Sequence, residues 1–201
     1  ASGVKRPGKR LLTVGTDASV GKMYTTLVIE RELRARGVAV DFRATGQTGI
    51  FIAGEGVSVD AVVADFISGA TEWLTPANDP DHWDAIEGQG SLFHPSFAGV
   101  TLGLIHGAQP DAIVLCHEPS REHMRGLPDW PLPNLQECLA ANLAAARLTN
   151  EAAFCAGIAI NTSQYDEDEA NRILNETSDS LSLPCVDPMR TGVSPIVDRL
   201  L

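Results

Sequence analysis

The sequence predicts an α/β protein whose parallel sheet is covered by helices on both faces. Six short apolar runs recur along the chain, and segments with helical spacing separate them. The runs are largely apolar and do not alternate with polar residues, which indicates strands that are buried on both sides. In parallel sheets of this kind ligands bind outside the carboxyl ends of the strands, so functional residues are expected directly after the strands.

The predicted strands are residues 11–14, 38–42, 83–86, 112–116, 154–160 and 183–186. Helices are predicted at residues 22–36, 60–74, 98–107, 134–148 and 166–181. The first helix has an apolar face and a charged face, and Gly37 is expected to end it. The second is expected to begin at Asp60, whose side chain can cap free N–H groups. Residues 127–133, which are rich in proline, are predicted to form an ordered loop.

The composition limits the kind of protein this can be. With 201 residues, 44% of them apolar, the chain is long enough for one full-sized domain, predicted at residues 10–201, after a basic linker or tail at residues 1–9. A start without Met suggests a piece of a longer protein. No apolar run predicts a membrane span, and the net charge of −11 disfavours nucleic acids and anionic membranes as partners. Four widely spaced cysteines predict buried thiols in a reducing cytoplasm.

Residues 15–24, GTDASVGKMY, have most features of a phosphate-binding loop. Gly21 and Lys22 match the end of the pattern G-x-x-x-x-G-K-[ST], with a predicted strand before the loop and a helix after it. Met23 replaces the Ser or Thr that holds Mg²⁺ in such loops, although Thr25 or Thr26 could supply an oxygen instead. The sequence therefore predicts an anion site with no metal ligand of the usual kind, formed by Gly15, Thr16, Asp17, Ser19, Val20, Gly21, Lys22, Met23 and Tyr24.

Three titratable residues are candidates for acid–base chemistry. Glu87 follows the third strand and is expected to point into the cleft, as a general base or, in a nucleotide enzyme, as a metal ligand. His94 and His117 are the other candidate bases. A structural role stays open for each: Glu87 as a cap of the next turn, and His94 as a hydrogen-bonding residue of its loop.

Polar and charged residues after other strands are candidates for substrate binding. An arginine can bind a carboxylate in a bidentate manner, so arginines at strand ends indicate an acidic substrate. Asn161 follows the fifth strand, where it could contact the adenine that both CoA and ATP carry. The predicted substrate-binding residues are Arg43, Gln47, Thr48, Glu118 and Arg121.

The loop and the motifs that follow it in order, RATGQTG, IEGQG and GIAIN, resemble dethiobiotin synthetase, whose loop is GTDTEVGKT. Over about residues 9–201 the chain resembles the C-terminal domain of the DgcN family of D-glutamate N-acetyltransferases, through stretches such as DFRATGQTGIFIAG, IEGQGSLFHPSFAG and DPMRTGVSPIVDRL. This resemblance implies a P-loop-type fold, acetyl-CoA as donor and D-glutamate as acceptor. It also implies a further N-terminal Rossmann-like domain, absent from this chain, and an enolase-superfamily racemase as pathway neighbour. A homo-oligomer is expected.

An acetyl-CoA site offers a reason for Met23. CoA carries phosphates for the loop to bind, and acetyl transfer needs neither phosphoryl chemistry nor a metal. Two alternatives stay open: an ATP- and Mg²⁺-dependent carboxylate-activating enzyme of the dethiobiotin synthetase type, and a non-catalytic nucleotide- or CoA-binding module.

Overall fold

A parallel sheet of six strands lies at the centre of the computed structural model, which describes residues 1–201. The sheet order is β2-β3-β1-β4-β7-β8, and β5 and β6 form a separate antiparallel hairpin. The strands are β1 (Lys9–Gly15), β2 (Val40–Arg43), β3 (Trp83–Ile86), β4 (Ala112–His117), β5 (His123–Met124), β6 (Leu127–Pro131), β7 (Phe154–Ile160) and β8 (Cys185–Val186).

Six α-helices and two 3₁₀ turns lie between the strands, and a seventh helix follows the last strand. The 3₁₀ turns span Val59–Ala61 and Ala64–Phe66. None of the helices is long and apolar enough to cross a bilayer. The helices are α1 (Lys22–Ala35), α2 (Gln47–Ala53), α3 (Ile67–Leu74), α4 (Ala98–Ala108), α5 (Leu135–Arg147), α6 (Glu167–Leu181) and α7 (Ser194–Val197).

The core consists of two apolar clusters, one on each face of the sheet. Leu11 of β1 packs in the cluster with Ile29 of α1, whereas the next residue, Leu12, packs in the cluster with Leu104 of α4. Both leucines are almost completely buried, because successive side chains of a strand point to opposite faces and both faces are covered. The predicted fold class, a doubly covered parallel sheet, is therefore confirmed.

The prediction of one helix over residues 60–74 is wrong in its first half. Two 3₁₀ turns occupy that stretch, and α3 begins only at Ile67. The β-branched pair Val62 and Val63 takes extended backbone angles, which interrupts the helix. Asp60 caps no helix, and its carboxylate accepts a hydrogen bond from the Ser58 hydroxyl (2.6 Å).

Three further features differ from the predictions or add to them. The short helix α2 was not predicted, and most of residues 127–133 forms strand β6, not a loop. Three of the four cysteines are buried free thiols, whereas Cys185 is half-buried.

The basic segment before β1 packs against the domain. Arg6 donates to the carbonyl oxygens of Thr75 (2.8 Å) and Gly107 (2.9 Å), and Lys5 bonds to Asp111 (2.8 Å). The buried Arg10 guanidinium in turn donates to carbonyl oxygens of this segment. These contacts hold the segment at the amino-terminal edge of the sheet, opposite to the edge where ligands bind in this fold class.

Candidate active site

The loop between β1 and α1 has the backbone of an anion-binding cradle. Gly21 takes a left-handed conformation (φ 99°) directly before α1, and Ser19 is left-handed as well (φ 56°). Lys22 is almost completely buried, and its ammonium donates to the Asp17 carbonyl oxygen (2.8 Å). Burial lowers the pKa of Lys22 to about 8, so the ammonium keeps its proton at pH 7. A buried cation at the start of a helix is suited to binding phosphate.

A clamp of charged side chains fixes the outer part of this loop. The buried Asp17 carboxylate accepts hydrogen bonds from the Arg121 guanidinium (2.6 Å) and from the backbone N–H groups of Arg125 (2.7 Å) and Ala18 (2.6 Å). Arg121 also donates to the Ala18 carbonyl oxygen and to the Glu118 carboxylate (2.7 Å each). Asp17 is thus satisfied by the protein itself.

The placement of Arg121 and Glu118 differs from the prediction that they bind substrate. They hold the loop to the segment after β4, and neither lines the cleft that lies beside the loop. Asp17, predicted to contact the cofactor, supports the loop from behind in the same way. These three residues shape the anion site and do not point into it.

A cleft of about 490 Å³ lies beside the loop at the carboxyl end of the sheet. Its walls come from the loop, the first residues of α1 and α2, the turn after β3 and Asp60. The fold thus brings together eight of the predicted site residues: Ser19, Gly21, Lys22, Met23, Tyr24, Gln47, Thr48 and Glu87.

Glu87 is a buried carboxylate in the wall of this cleft. One of its oxygens accepts hydrogen bonds from the N–H groups of Thr45 (2.9 Å) and Gly46 (3.1 Å). A side chain at Gly49 would lie 2.2 Å from the same oxygen, so α2 can approach Glu87 only with glycine there. Burial raises the pKa of Glu87, and the N–H groups of Thr45 and Gly46 oppose this shift. A cleft carboxyl with a raised pKa suits a general base.

The two candidate histidines lie outside the cleft. Nδ1 of the buried His94 accepts from the Ser96 N–H (3.1 Å), and its Nε2 lies 3.3 Å from the Arg125 carbonyl oxygen. Both ring nitrogens are therefore engaged within the protein, which agrees with the alternative of a loop-stabilising residue. His117 bonds to the Thr16 hydroxyl through Nδ1 (3.0 Å) behind the phosphate loop. Burial, helped by the charge of Arg121, lowers the pKa of His117 to about 4, so this imidazole is neutral at pH 7.

Arg43 also lies away from the cleft, in contrast to its predicted role in substrate binding. Its guanidinium donates to the buried Asp84 (2.7 Å) and to Asp41 (3.0 Å). The Arg43 side chain points to the neighbouring strand β3, where it binds Asp84, and therefore does not reach the cleft. His82 with the same two aspartates has the spacing of a metal site, but Arg43 and Arg10 already neutralise these carboxylates.

A second pocket, of about 280 Å³, lies on the other side of the loop. It is largely apolar and lies between the first turn of α1 and the last residues of β7. Asn161 lines it, which is the position that an adenine contact would need. Gly21 and Tyr24 line both pockets, so the phosphate loop lies between them. A ligand with a central phosphate group can therefore reach into both pockets.

The two threonines that follow Met23 are buried. Thr26 donates to the Lys22 carbonyl oxygen (2.8 Å) and bonds to Thr13 (2.9 Å), and the buried Thr25 hydroxyl lies 3.6 Å from the Cys116 sulfur. Neither threonine offers an oxygen in the place of Met23. The loop therefore has no hydroxyl group in the place of the usual Mg²⁺ ligand.

The structure adds site residues that the sequence analysis did not identify. Asp60 and Gln89 line the cleft, and the Arg125 guanidinium donates to the Ser19 hydroxyl. Gly88 allows the turn after β3 to pass the backbone of β1, because a side chain there would lie 1.7 Å from the Thr13 carbonyl oxygen. The glycine-rich motif EGQGS after β3 is the feature from which Gln89 and Gly88 could have been found.

A parallel sheet with a phosphate-binding loop between its first strand and first helix defines a P-loop protein. The chain belongs to the DUF1611 family, whose model, described as "Domain of unknown function (DUF1611_C) P-loop domain", matches residues 1–197. The predicted resemblance to the family's C-terminal domain is thereby confirmed.

Two curated relatives carry the name D-glutamate N-acetyltransferase. The relative from Tritonibacter scottomollicae is 56% identical over 200 residues, which cover 100% of this chain and 60% of the relative. The one from a Pseudoalteromonas species is 55% identical over 198 residues, which cover 98% of this chain and 60% of the relative. The chain thus spans about 60% of the length of the curated relatives it matches.

Solved structures agree with the fold. A crystal structure of a DUF1611 family protein from Anabaena variabilis is 38% identical with a TM-score of 0.93, and the match covers 100% of this chain and 60% of that one. Cobyrinic acid a,c-diamide synthase from Mycobacterium smegmatis, solved with ADP and magnesium, is 15% identical with a TM-score of 0.56, covering 95% of this chain and 91% of that one. The second similarity supports the fold alone.

Proposed function

We propose that this chain provides the acetyl-CoA-binding part of a D-glutamate N-acetyltransferase. The observation that carries the proposal is the phosphate loop, which keeps the buried cation Lys22 but has Met23 where a magnesium-binding hydroxyl would stand. The names of the two curated relatives, at 55–56% identity, support the reaction. The expected cytoplasmic location, homo-oligomeric state and racemase neighbour stay predictions, as do the domain boundaries.

The two pockets suggest how the donor lies. The CoA pyrophosphate is placed on the loop N–H groups and Lys22, and the adenine in the apolar pocket beside Asn161. The thioester then extends into the larger cleft, which Glu87 lines. This arrangement needs no metal, because the phosphates are bound and not transferred.

Glu87 is proposed as the base that prepares the acceptor amine. An ammonium must lose a proton before its nitrogen can attack the thioester carbon. Glu87 accepts that proton, the C–N bond forms, and the C–S bond breaks. As the amide forms, the nitrogen loses a second proton, which goes to the CoA sulfur. Glu87 then releases the first proton to solvent. Backbone N–H groups of the GQTG or EGQGS turns are proposed to stabilise the oxyanion that forms on the carbonyl oxygen.

The test uses a longer form, in which the additional region of the Tritonibacter scottomollicae relative is joined to this chain; it is called the joined form below. Glu87→Gln should lower the rate of N-acetyl-D-glutamate formation by roughly 10²–10⁴-fold, the usual contribution of a positioned base. Acetyl-CoA binding, measured by calorimetry, should be unchanged. The control, Glu151→Gln, changes an exposed carboxylate at the amino end of the sheet and should leave turnover unaltered. Equal turnover in both variants would show that the base lies elsewhere.

A further inference from the structure

The cleft that would receive the acceptor contains too little positive charge for a dicarboxylate. Its charged side chains are Lys22, Asp60 and Glu87, and Lys22 belongs to the phosphate loop. D-glutamate, the acceptor under the proposed function, carries one ammonium and two carboxylates. The ammonium matches Asp60 and Glu87, but the acceptor's carboxylates would lie near these like charges without a cation of their own.

No Lys or Arg other than Lys22 lines the cleft. Residues 44–120, which form most of the cleft wall opposite the loop, contain no Lys or Arg. Arg43 and Arg121 are already bonded to buried aspartates, and the side chain of Arg125 bonds to Ser19 without lining the cleft. Taking Arg43 or Arg121 from its partner would leave a buried carboxylate unpaired, which is strongly unfavourable.

The same side of the cleft exposes large apolar side chains. Helix α2 contributes Gln47 and Thr48 to the cleft and exposes Phe51 (89%) and Ile52 (53%). The segment that contributes Asp60 exposes Val63 (68%) and Phe66 (66%). We call these four apolar residues the apolar rim. Exposed apolar side chains concentrated beside a cleft are typical of a surface that another polypeptide covers.

We propose that the apolar rim is covered by a second polypeptide body, of the kind that makes up the remaining two-fifths of the curated relatives, and that this body supplies basic side chains to bind the acceptor's carboxylates. The two relatives and the Anabaena variabilis protein each extend well beyond the matched 60%, so a body of sufficient size exists in the family. The inference rests on the proposed function for the identity of the acceptor.

The charge around the apolar rim favours this second body, and not a second copy of the chain, as the partner that covers it. The charged residues within and beside the apolar rim are Glu55, Asp60 and Asp65, all exposed and all acidic. Two copies packed rim to rim would bring these carboxylates together, whereas a basic partner surface pairs with them. The same basic surface provides the cations that bind the acceptor's carboxylates in the cleft.

Hydroxyl-radical footprinting of the isolated chain and of the joined form tests the covered surface. Phe51 and Phe66 should be oxidised at least about fivefold more slowly in the joined form, because their rings leave solvent. Leu148, an exposed residue at the amino-terminal side of the sheet, is the control and should react equally in both. Equal oxidation of Phe51 and Phe66 in the two forms would overturn the proposal.

Calorimetry tests the charge argument. The acetyl-CoA-bound joined form should bind D-glutamate at least roughly 100-fold more tightly than the isolated chain, which lacks two charge-assisted contacts. Comparable D-glutamate affinity of the two forms would overturn the proposal. If the joined form does not fold, tight binding of D-glutamate by the isolated chain would overturn it. A dimer of the isolated chain that Phe51→Asp abolishes would assign the rim to a second copy and also overturn it. Acetyl-CoA binding, measured in the same runs, distinguishes these outcomes from failure of the proposed function.

Discussion

Replacing Asp17 by alanine tests whether the clamp shapes the anion site. The substitution removes the acceptor of three donors, the Arg121 guanidinium and the N–H groups of Ala18 and Arg125. Removing one partner of a buried ion pair costs about 3–5 kcal/mol. Arg121 keeps Glu118 and the Ala18 carbonyl oxygen as partners and is partly exposed, so we expect the lower end, about 3 kcal/mol.

Urea unfolding measures this loss of stability, and Asp198→Ala is the matched control. Asp198 pairs with Arg36 at an exposed site (64% for the Asp198 side chain), so its removal should cost less than about 1 kcal/mol. Asp17→Ala should also weaken acetyl-CoA binding, because the loop loses its fixed conformation. A destabilisation of Asp17→Ala no larger than that of the control would refute the reasoning that the clamp holds the loop.

Two further predictions concern the loop cation and a close backbone contact. Because burial lowers the pKa of Lys22 to about 8, the acetyl-CoA Kd measured by calorimetry should rise as the pH increases above 8, and Lys22→Met should remove this dependence. The folded protein should gain stability over the same rise in pH, since the unfolded chain binds the Lys22 proton more tightly. Gly88→Ala places a methyl group 1.7 Å from the Thr13 carbonyl oxygen and should destabilise the fold by more than about 3 kcal/mol in urea unfolding. Gly99→Ala, on the open side of α4, should instead stabilise it by about 0.5–1 kcal/mol.

The sheet and its ligand-binding edge could be predicted because they depend on local patterns. A strand buried on both faces must be apolar along its length, as Leu11 and Leu12 illustrate, and parallel topology then places the strand ends at one edge. The phosphate loop was predictable for the same reason, since its glycines and lysine follow a fixed spacing. Interruptions such as that at Val62 and Val63 depend on weak preferences and were missed.

The direction in which each site residue points could not be predicted from its position alone. Arg43 and Arg121 stand at strand ends as expected, but Asp84 and Asp17 bind their guanidinium groups, and these partners are distant in sequence. Asp60 reaches the cleft because the backbone of Val57 and Val59 bonds to the chain just before α2, which no local pattern indicates. Long-range pairing therefore decided which of the candidate side chains line the cleft.

The central claim is that the loop binds acetyl-CoA without a metal, and calorimetry of the unmodified chain with acetyl-CoA and with ATP tests it most directly. Each ligand is titrated once with Mg²⁺ and once with EDTA. Acetyl-CoA should bind with the same Kd in both, because Met23 replaces the magnesium-binding hydroxyl and the Thr26 hydroxyl is bonded to the Lys22 carbonyl oxygen and to Thr13. Tight ATP binding that requires Mg²⁺, with no heat from acetyl-CoA, would contradict the account.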